Sequence, residues 1–221
     1  MKIAVFDIHK FERQALEAAN KKFGHSLTYF ENRLNEDTVS LAQGFEAVCN
    51  FVNDHLNASV LQKLKDQGVK IIALRSAGFN HVDMAAARKL GLQVVRVPEY
   101  SPYAVAEHAV TLILTLNRKV HRAYARVREF NFSLEDLVGF DMHGKTVGII
   151  GTGNIGKVMA KIINGFGCRI LAYDFKPNPE LEKNLNLKYT DLNTIYKESD
   201  IISLHVPLTP QTQHMINGEA I

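Results

Sequence analysis

Cysteine is scarce in this chain of 221 residues: there are two, Cys49 and Cys168, with neither pairing nor metal-ligand spacing. That argues against a disulfide framework and fits reduced core thiols in a cytosolic protein. An excess of one charge is also lacking. With 26 Lys and Arg against 23 Asp and Glu, the formal net charge of +3 is too small to argue for a nucleic-acid partner. One local basic stretch, Arg118, Lys119, Arg122, Arg126 and Arg128, is interleaved with apolar residues on a helix and reads as a solvated face or a subunit contact. The longest apolar stretch, Ala109–Leu116, falls far short of the roughly twenty residues that a membrane span needs. The run Lys2-Ile3-Ala4-Val5-Phe6 enters a strand directly, without the basic, apolar and small-residue regions of a secretory leader. A soluble, cytoplasmic protein is expected.

What is present is ordinary globular composition, 46% hydrophobic and 22% charged, which argues against disorder of the chain as a whole. Residues 1 to 99 alternate between strand and helix patterns. Strands are expected at Lys2–Phe6, Leu27–Phe30, Ala47–Val52, Lys70–Leu74 and Gln93–Val97, with helices including Phe11–Phe23 and Ala58–Gln67. Asn57 and Asp83 read as helix N-caps, and Gly24, Gly68 and Gly91 as C-terminal stops. Such alternation gives a parallel sheet covered by helices. A boundary falls at Pro98–Pro102, where Pro98 breaks the strand, Ser101 can cap and Pro102 takes the first helical position. One long helix is expected from Pro102 towards Glu129, with an apolar face of Val105, Ala109, Leu112, Ile113, Leu116 and Val120 wide enough to lie between domains or subunits. Asn131–Gly144 reads as a loop. Beyond it come strand Lys145–Ile150, helix Ile155–Phe166, strands Arg169–Tyr173 and Leu187–Tyr189, helix Asp191–Glu198 and strand Asp200–Val206, with Asn217 as the cap of a helix that Ile221 barely begins.

The most informative segment is Gly148-Ile149-Ile150-Gly151-Thr152-Gly153-Asn154-Ile155-Gly156, an apolar run that breaks into G-x-G-x-x-G, with Asp174 eighteen residues after the last glycine. Gly151 allows a tight strand-to-helix turn, Gly153 lets backbone approach a pyrophosphate, and Gly156 lets the helix pack closely on the strand. The helix that starts there turns unpaired N–H groups and its positive dipole end towards phosphates. The spacing alone is a weak signal. A strand before it, a helix after it and a second strand delivering Asp174 supply the context that defines a Rossmann NAD site. Asp174 would accept hydrogen bonds from the adenosine ribose hydroxyls and repel a 2′-phosphate, favouring NAD over NADP, with Lys176 tempering that preference.

Five motifs in order, Arg75-Ser76-Ala77-Gly78-Phe79-Asn80-His81-Val82-Asp83, Val97-Pro98-Glu99-Tyr100-Ser101-Pro102, Ala106-Glu107-His108, the glycine turn, and Leu204-His205-Val206-Pro207-Leu208-Thr209, resemble the D-2-hydroxyacid dehydrogenases. The first two have the form seen in the fermentative D-lactate dehydrogenases. The resemblance spans the chain and implies an α/β protein: a flavodoxin-like substrate domain at 1–99, then an incomplete Rossmann domain, a doubly wound parallel sheet binding NAD, at 100–221. By the same resemblance Ser76, Ala77 and Gly78 would offer N–H groups to a substrate carboxylate, as an anion-binding nest does, and Tyr100 would reach into the substrate pocket. Val105 would press on the nicotinamide, Asn154 and Ile155 would meet the pyrophosphate, and Val206, Pro207 and Thr212 would lie along the adenine and ribose side. The residues themselves leave plainer roles open: a simple strand-to-helix turn at Ser76–Gly78, packing for Tyr100 and Val105, and a proline-bounded strand end at Val206.

The resemblance also implies hydride transfer to C2 of a 2-keto acid, with a histidine as proton donor, an arginine on the carboxylate and a glutamate holding the histidine charged. No residue of this chain is assigned to those three roles, which are expected beyond Ile221. Glu107 and His108 are adjacent on a helix and so do not face each other, and no histidine has metal-ligand spacing. The second βαβαβ half of the cofactor domain is expected to be missing, which would leave the 221 residues inactive alone. Pyruvate with D-lactate is the expected substrate pair and a homo-oligomer through the helix at Pro102 the expected assembly. A larger 2-keto acid and a non-catalytic NAD-sensing module stay open as alternatives.

Overall fold

Short β-branched strands separated by capped helices build two parallel sheets, each in its own compact unit of the computed structural model, which describes residues 1–220. The first unit is Met1–Tyr100 and the second starts at Ser101. In the first, the order along the chain is β1 (Lys2–Val5), α1 (Lys10–Asn20), β2 (Ser26–Tyr29), a 3-10 turn at Val39–Ala42, β3 (Ala47–Asn50), α2 (Ala58–Asp66), β4 (Ile71–Leu74), α3 (Met84–Lys89) and β5 (Gln93–Arg96). The strands lie β2-β1-β3-β4-β5, all parallel, the flavodoxin-like order. Phe6, Leu34, Val48, Leu56, Leu61, Leu64 and Ile72 are fully buried and form one core cluster.

The expected helix signals operate. Asn57 accepts from the Val60 N–H and Asp83 from the Ala86 N–H, caps worth about 1 kcal/mol each. Gly24, Gly68 and Gly91 all take positive φ, which frees the chain to leave the helix without a Cβ penalty. Helix α1 ends at Asn20, three residues before the expected Phe23. The cause is local: the Asn20 side chain donates to the His25 carbonyl at 2.7 Å and accepts from the His25 N–H at 2.9 Å, diverting the chain into a turn.

Arg75, just past β4, ties the carboxyl ends of three strands together. Its guanidinium donates to Glu12 Oε1 at 3.0 Å and to the carbonyls of Cys49, Phe6 and Asp7 at 3.0, 2.9 and 2.9 Å. It also sits over the Phe51 ring. Nearby Asp54 is fully buried and accepts from the Leu34 and Phe51 N–H groups, both at 2.7 Å, holding two loops to one carboxylate.

In the second unit α4 (Pro102–Arg118) and α5 (Val120–Arg128) precede β6 (Thr146–Ile150), α6 (Asn154–Gly165), β7 (Arg169–Tyr173), α7 (Pro179–Asn184), β8 (Leu187–Tyr189), α8 (Leu192–Glu198) and β9 (Ile201–Leu204). The sheet runs β8-β7-β6-β9, all parallel. Ser101 caps α4 through the Ala104 N–H, with Pro102 at the first helical position. Ala106 and Val110 of α4 pack with Val158, Met159 and Ile163 of α6 and with Val147 and Ile149 of β6.

The single helix expected from Pro102 to Glu129 is instead two. Lys119 adopts a left-handed conformation, φ 51°, and the loop that follows α5 returns to hold the break. Lys119 Nζ donates to the Asp136 carbonyl at 2.8 Å, while Asn117 donates to the Phe140 carbonyl and accepts from its N–H, each at 2.8 Å. Helix α7, which no periodicity signalled, starts at Pro179 with Asn178 accepting from the Glu180 N–H. Asn217 accepts from the Glu219 and Ala220 N–H groups; the continuation expected at Ile221 lies outside the described residues. No described helix is long and apolar enough to cross a membrane.

Burial pushes the Asp54 carboxyl up to about 6, against the pull of its two N–H partners. An unfolded aspartate titrates near 3.9, so the folded state holds this proton more tightly. The stability this contributes is complete below about pH 4 and is lost as pH rises through about 6. Urea denaturation of wild type and Asp54→Asn should therefore show the wild-type margin narrowing by about 2 kcal/mol between about pH 4 and pH 7. A margin that does not change with pH would contradict this reading.

Candidate functional site

The site in the second unit begins where β6 ends. All five β6 residues are buried, and the chain leaves through Gly151, whose φ of 93° is reserved in practice for glycine. A Cβ on Gly151 would also run into the His205 carbonyl. One on Gly156 would overlap the Gly151 carbonyl, so this glycine sets how closely α6 approaches the strand. Gly153 meets nothing within 4 Å: its position opens onto free space, as close approach by a ligand requires. It is also the N-cap of α6 and supplies no side-chain acceptor, which leaves the start of the helix directed at that space. Asn154 opens α6 on the exposed side, and Ile155 behind it is half-buried.

The neighbouring strand delivers Asp174 beside this turn. Its Oδ2 accepts from the Thr152 N–H at 2.6 Å and the Thr152 hydroxyl at 3.0 Å, and its Oδ1 from the Lys176 N–H at 2.9 Å. Burial would raise its pKa, but the donors from Lys176 and Thr152 outweigh it and hold the carboxyl below the usual range. Asp174 is therefore ionised at neutral pH. A carboxylate offers about four lone-pair sites, so Asp174 keeps acceptor capacity beyond these donors.

Gly151, Gly153, Asp174, Val206, Pro207 and Thr212 line one cavity of about 470 Å³. Tyr173, Phe175, Leu192 and Met215 add apolar wall, giving the pattern of a small-molecule site: mostly apolar, with a few fixed polar groups. The Thr212 hydroxyl serves the wall itself, since it donates to the Pro207 carbonyl at 2.6 Å and accepts from the Thr209 N–H at 2.8 Å. His205 also lines the cavity. Its Nε2 lies 2.9 Å from the Ser203 hydroxyl, and burial lowers its pKa, so it is neutral at physiological pH and a poor proton donor. Val105 is half-buried on α4 and is not part of this wall.

The first unit carries the remaining expected residues. Ser76, Ala77 and Gly78 follow β4, and their carbonyls are held from behind. The Val97 N–H donates to the Ser76 carbonyl at 3.2 Å, Arg96 Nη1 to the Ala77 carbonyl at 2.8 Å, and the Ser76 hydroxyl to the Gly78 carbonyl at 2.7 Å. Among the described residues the N–H groups of Ala77 and Gly78 have no protein acceptor, the arrangement an anion-binding turn needs. Tyr100 is 58% exposed. Among the described residues no three His, Cys, Asp or Glu side chains converge as metal ligands would.

The sequence reading missed Thr152, Tyr173, Phe175, Leu192 and Met215. Thr152 stood between two assigned glycines and alone had a signal, its position in the turn.

Residues 110–221 match the model of the D-isomer specific 2-hydroxyacid dehydrogenase NAD binding domain. The D-lactate dehydrogenase of Escherichia coli is 53% identical over the whole of this chain and 67% of its own length. A 2-hydroxyacid dehydrogenase homolog from Haemophilus influenzae is also 53% identical, over 66% of its length. The apo structure of the E. coli enzyme superposes with a TM-score of 0.90 over all of this chain and 69% of that one. A D-lactate dehydrogenase from Aquifex aeolicus, solved with NAD and lactic acid, is 34% identical with a TM-score of 0.84, over 99% of this chain and 64% of that one. The chain belongs to the D-isomer specific 2-hydroxyacid dehydrogenase family, and its second unit carries that family's NAD-binding domain. It spans about two thirds of the length of the curated relatives it matches.

Because the Gly156 hydrogen faces a backbone carbonyl, relief would require α6 to move off the sheet. Gly156→Ala should cost the second unit about 3 kcal/mol or more and abolish dinucleotide binding, read by chemical denaturation and by NADH fluorescence. An alanine variant with wild-type stability and affinity would refute the packing role.

Proposed function

We propose that this chain supplies the cofactor site and the substrate-carboxylate turn of an NAD-dependent D-2-hydroxyacid dehydrogenase interconverting pyruvate and D-lactate. Residues 1–99 act as the substrate domain and 100–221 as the N-terminal part of the NAD-binding domain. The observation that carries the reading is the ionised Asp174 carboxylate at the tip of β7, bonded to the Thr152 N–H at 2.6 Å in the wall shared with Gly151 and Gly153.

The residues present fit the cofactor. Glycines at 151 and 156 are sterically required, Gly153 and the start of α6 suit a pyrophosphate, and the spare acceptor capacity of Asp174 suits two ribose hydroxyls. Asn154 and Ile155 bring backbone to the pyrophosphate, Val206, Pro207 and Thr212 flank the adenosine, and Val105 backs the nicotinamide. When bound, the reduced nicotinamide supplies the hydride. The chain's own work is to bind and orient. Ala77 and Gly78 N–H groups, with Ser76 fixing their turn, hold the substrate carboxylate, and Tyr100 offers its phenol to the substrate. The proton donor, its glutamate and the carboxylate-binding arginine of the family are assigned to no residue here.

Pyruvate is favoured by the lactic acid bound to the Aquifex relative. A larger keto acid remains the second reading, because Phe79 and Tyr100 are both exposed and a D-2-hydroxyisocaproate dehydrogenase is among the similar structures, at 33% identity and TM-score 0.78. The free thiols of Cys49 and Cys168 suit a reducing cytoplasm.

The helix from Pro102 and its successor leave Leu112, Leu116, Val120, Tyr124 and Val127 more than half exposed. Apolar side chains exposed in this number favour self-association, so sedimentation velocity should find a species larger than a monomer. A concentration-independent monomer would remove that part of the proposal.

The direct test is fluorescence titration of the 221-residue chain with NADH, followed by a pyruvate-dependent NADH oxidation assay. Binding without turnover is expected. Failure to bind NADH would overturn the cofactor reading, and clear turnover would overturn the assignment of the catalytic groups elsewhere.

A further inference from the structure

The Asp174 carboxylate is held by a chain of hydroxyls that the cofactor reading does not require. The Thr152 hydroxyl has one proton, which it gives to Asp174 Oδ2 at 3.0 Å. Thr152 Oγ1 also lies 2.8 Å from the Tyr189 hydroxyl, so in that pair it must accept. Tyr189 in turn accepts from the Asn178 N–H at 3.1 Å. The donors thus run in one direction, from Asn178 through Tyr189 and Thr152, and end on the carboxylate. Each hydroxyl donates once and accepts at least once, so the network is satisfied, as a rigid polar cluster must be.

The relay joins three separate segments. Thr152 sits buried in the glycine turn, Asp174 and Asn178 bracket the loop after β7, and Tyr189 ends β8. The Tyr189 N–H donates to Glu182 of α7 at 2.9 Å, and the Asn178 side chain caps α7, so the same residues fix both ends of the loop. That loop carries Lys176, whose N–H holds Oδ1. Together these bonds clamp both carboxylate oxygens and prevent the group from rotating.

A fixed carboxylate treats two dinucleotides differently. Ribose hydroxyls can donate to it, whereas a 2′-phosphate placed against it meets like charge that no movement relieves. The cation on the same loop, Lys176, could offset a phosphate only if the carboxylate turned away. We propose that Thr152 and Tyr189 are specificity-positioning residues, whose hydroxyl relay fixes Asp174 so that the site takes a dinucleotide with a free 2′-hydroxyl and rejects one with a 2′-phosphate. This rests on the cofactor reading above and adds to it that the aspartate discriminates only while clamped.

The test is the ratio of NADPH to NADH dissociation constants, measured by nucleotide fluorescence on the full chain. Thr152→Val keeps the side-chain shape and Tyr189→Phe keeps the ring, and each removes one hydroxyl. Thr152→Val should lower the ratio about tenfold, the worth of one hydrogen bond to a charged group, and Tyr189→Phe, which removes a neutral pair one step back, about threefold, with NADPH binding gaining in each. Thr152→Ser, which keeps the hydroxyl, should hold the wild-type ratio. Carbon-13 NMR should also show the Asp174 carboxyl titrating at higher pH in Thr152→Val than in wild type. Should Thr152→Val not fold, Tyr189→Phe carries the comparison. A wild-type ratio in both hydroxyl-deleted variants, with NADH still bound, overturns the relay and leaves the cofactor reading intact. Loss of the ratio in Thr152→Ser also overturns it, and a wild-type chain that binds neither nucleotide overturns both.

Discussion

The bond from the Thr152 N–H to the Asp174 carboxylate joins the glycine turn to the tip of the next strand. It is short, 2.6 Å, and charge-assisted, a class roughly twice as strong as a neutral pair. The Thr152 hydroxyl reaches the same carboxylate at 3.0 Å and the Gly151 N–H donates to the Tyr173 carbonyl at 2.8 Å, so the turn after β6 and the loop after β7 are joined at three points. They form one wall, and the relation between a phosphate-sized opening and a ribose-sized acceptor is set before any ligand arrives. Such preorganisation lowers the cost of ordering groups on binding.

The two units apply the same physics with opposite charges. In each, a parallel sheet brings the ends of its strands to one edge, and a single ionised side chain there satisfies backbone groups from several segments. Arg75 donates to three carbonyls and Glu12; Asp174 accepts from two N–H groups and a hydroxyl. Beside Arg75, among the described residues, the Ala77 and Gly78 N–H groups have no protein acceptor. A turn that binds an anion through its backbone depends on such fixed supports, and here the Ser76 and Thr152 hydroxyls of the turns themselves add to them.

Much of this was legible in the sequence because the chemistry is positional. G-x-G-x-x-G followed by Asp174 was readable since only glycine fits at 151 and 156, for the reasons the packing shows. Asn57, Asp83 and Ser101 were readable as caps since a short acceptor before an apolar repeat satisfies an N–H two or three residues on. The break at Lys119 was not, because its cause lies in a loop around twenty residues away whose contacts leave no local pattern. Helix α7 was too short for periodicity to register. The hydroxyl relay was invisible for a related reason: Thr152 and Tyr189 are 37 positions apart, and a paired hydroxyl has no characteristic spacing. Arg75 stood inside a recognised motif, yet its partners are mainly carbonyls, which every residue has. Sequence reports what a position demands of its own residue far better than what it receives from elsewhere.

If one wall of the second unit holds both the diphosphate and the ribose of a dinucleotide, a crystal structure of the chain with NADH will show it. The diphosphate should lie against Gly153–Ile155, with both adenosine ribose hydroxyls within about 3 Å of the Asp174 carboxylate. Adenosine bound elsewhere, with that carboxylate still facing empty solvent, would rule the shared wall out.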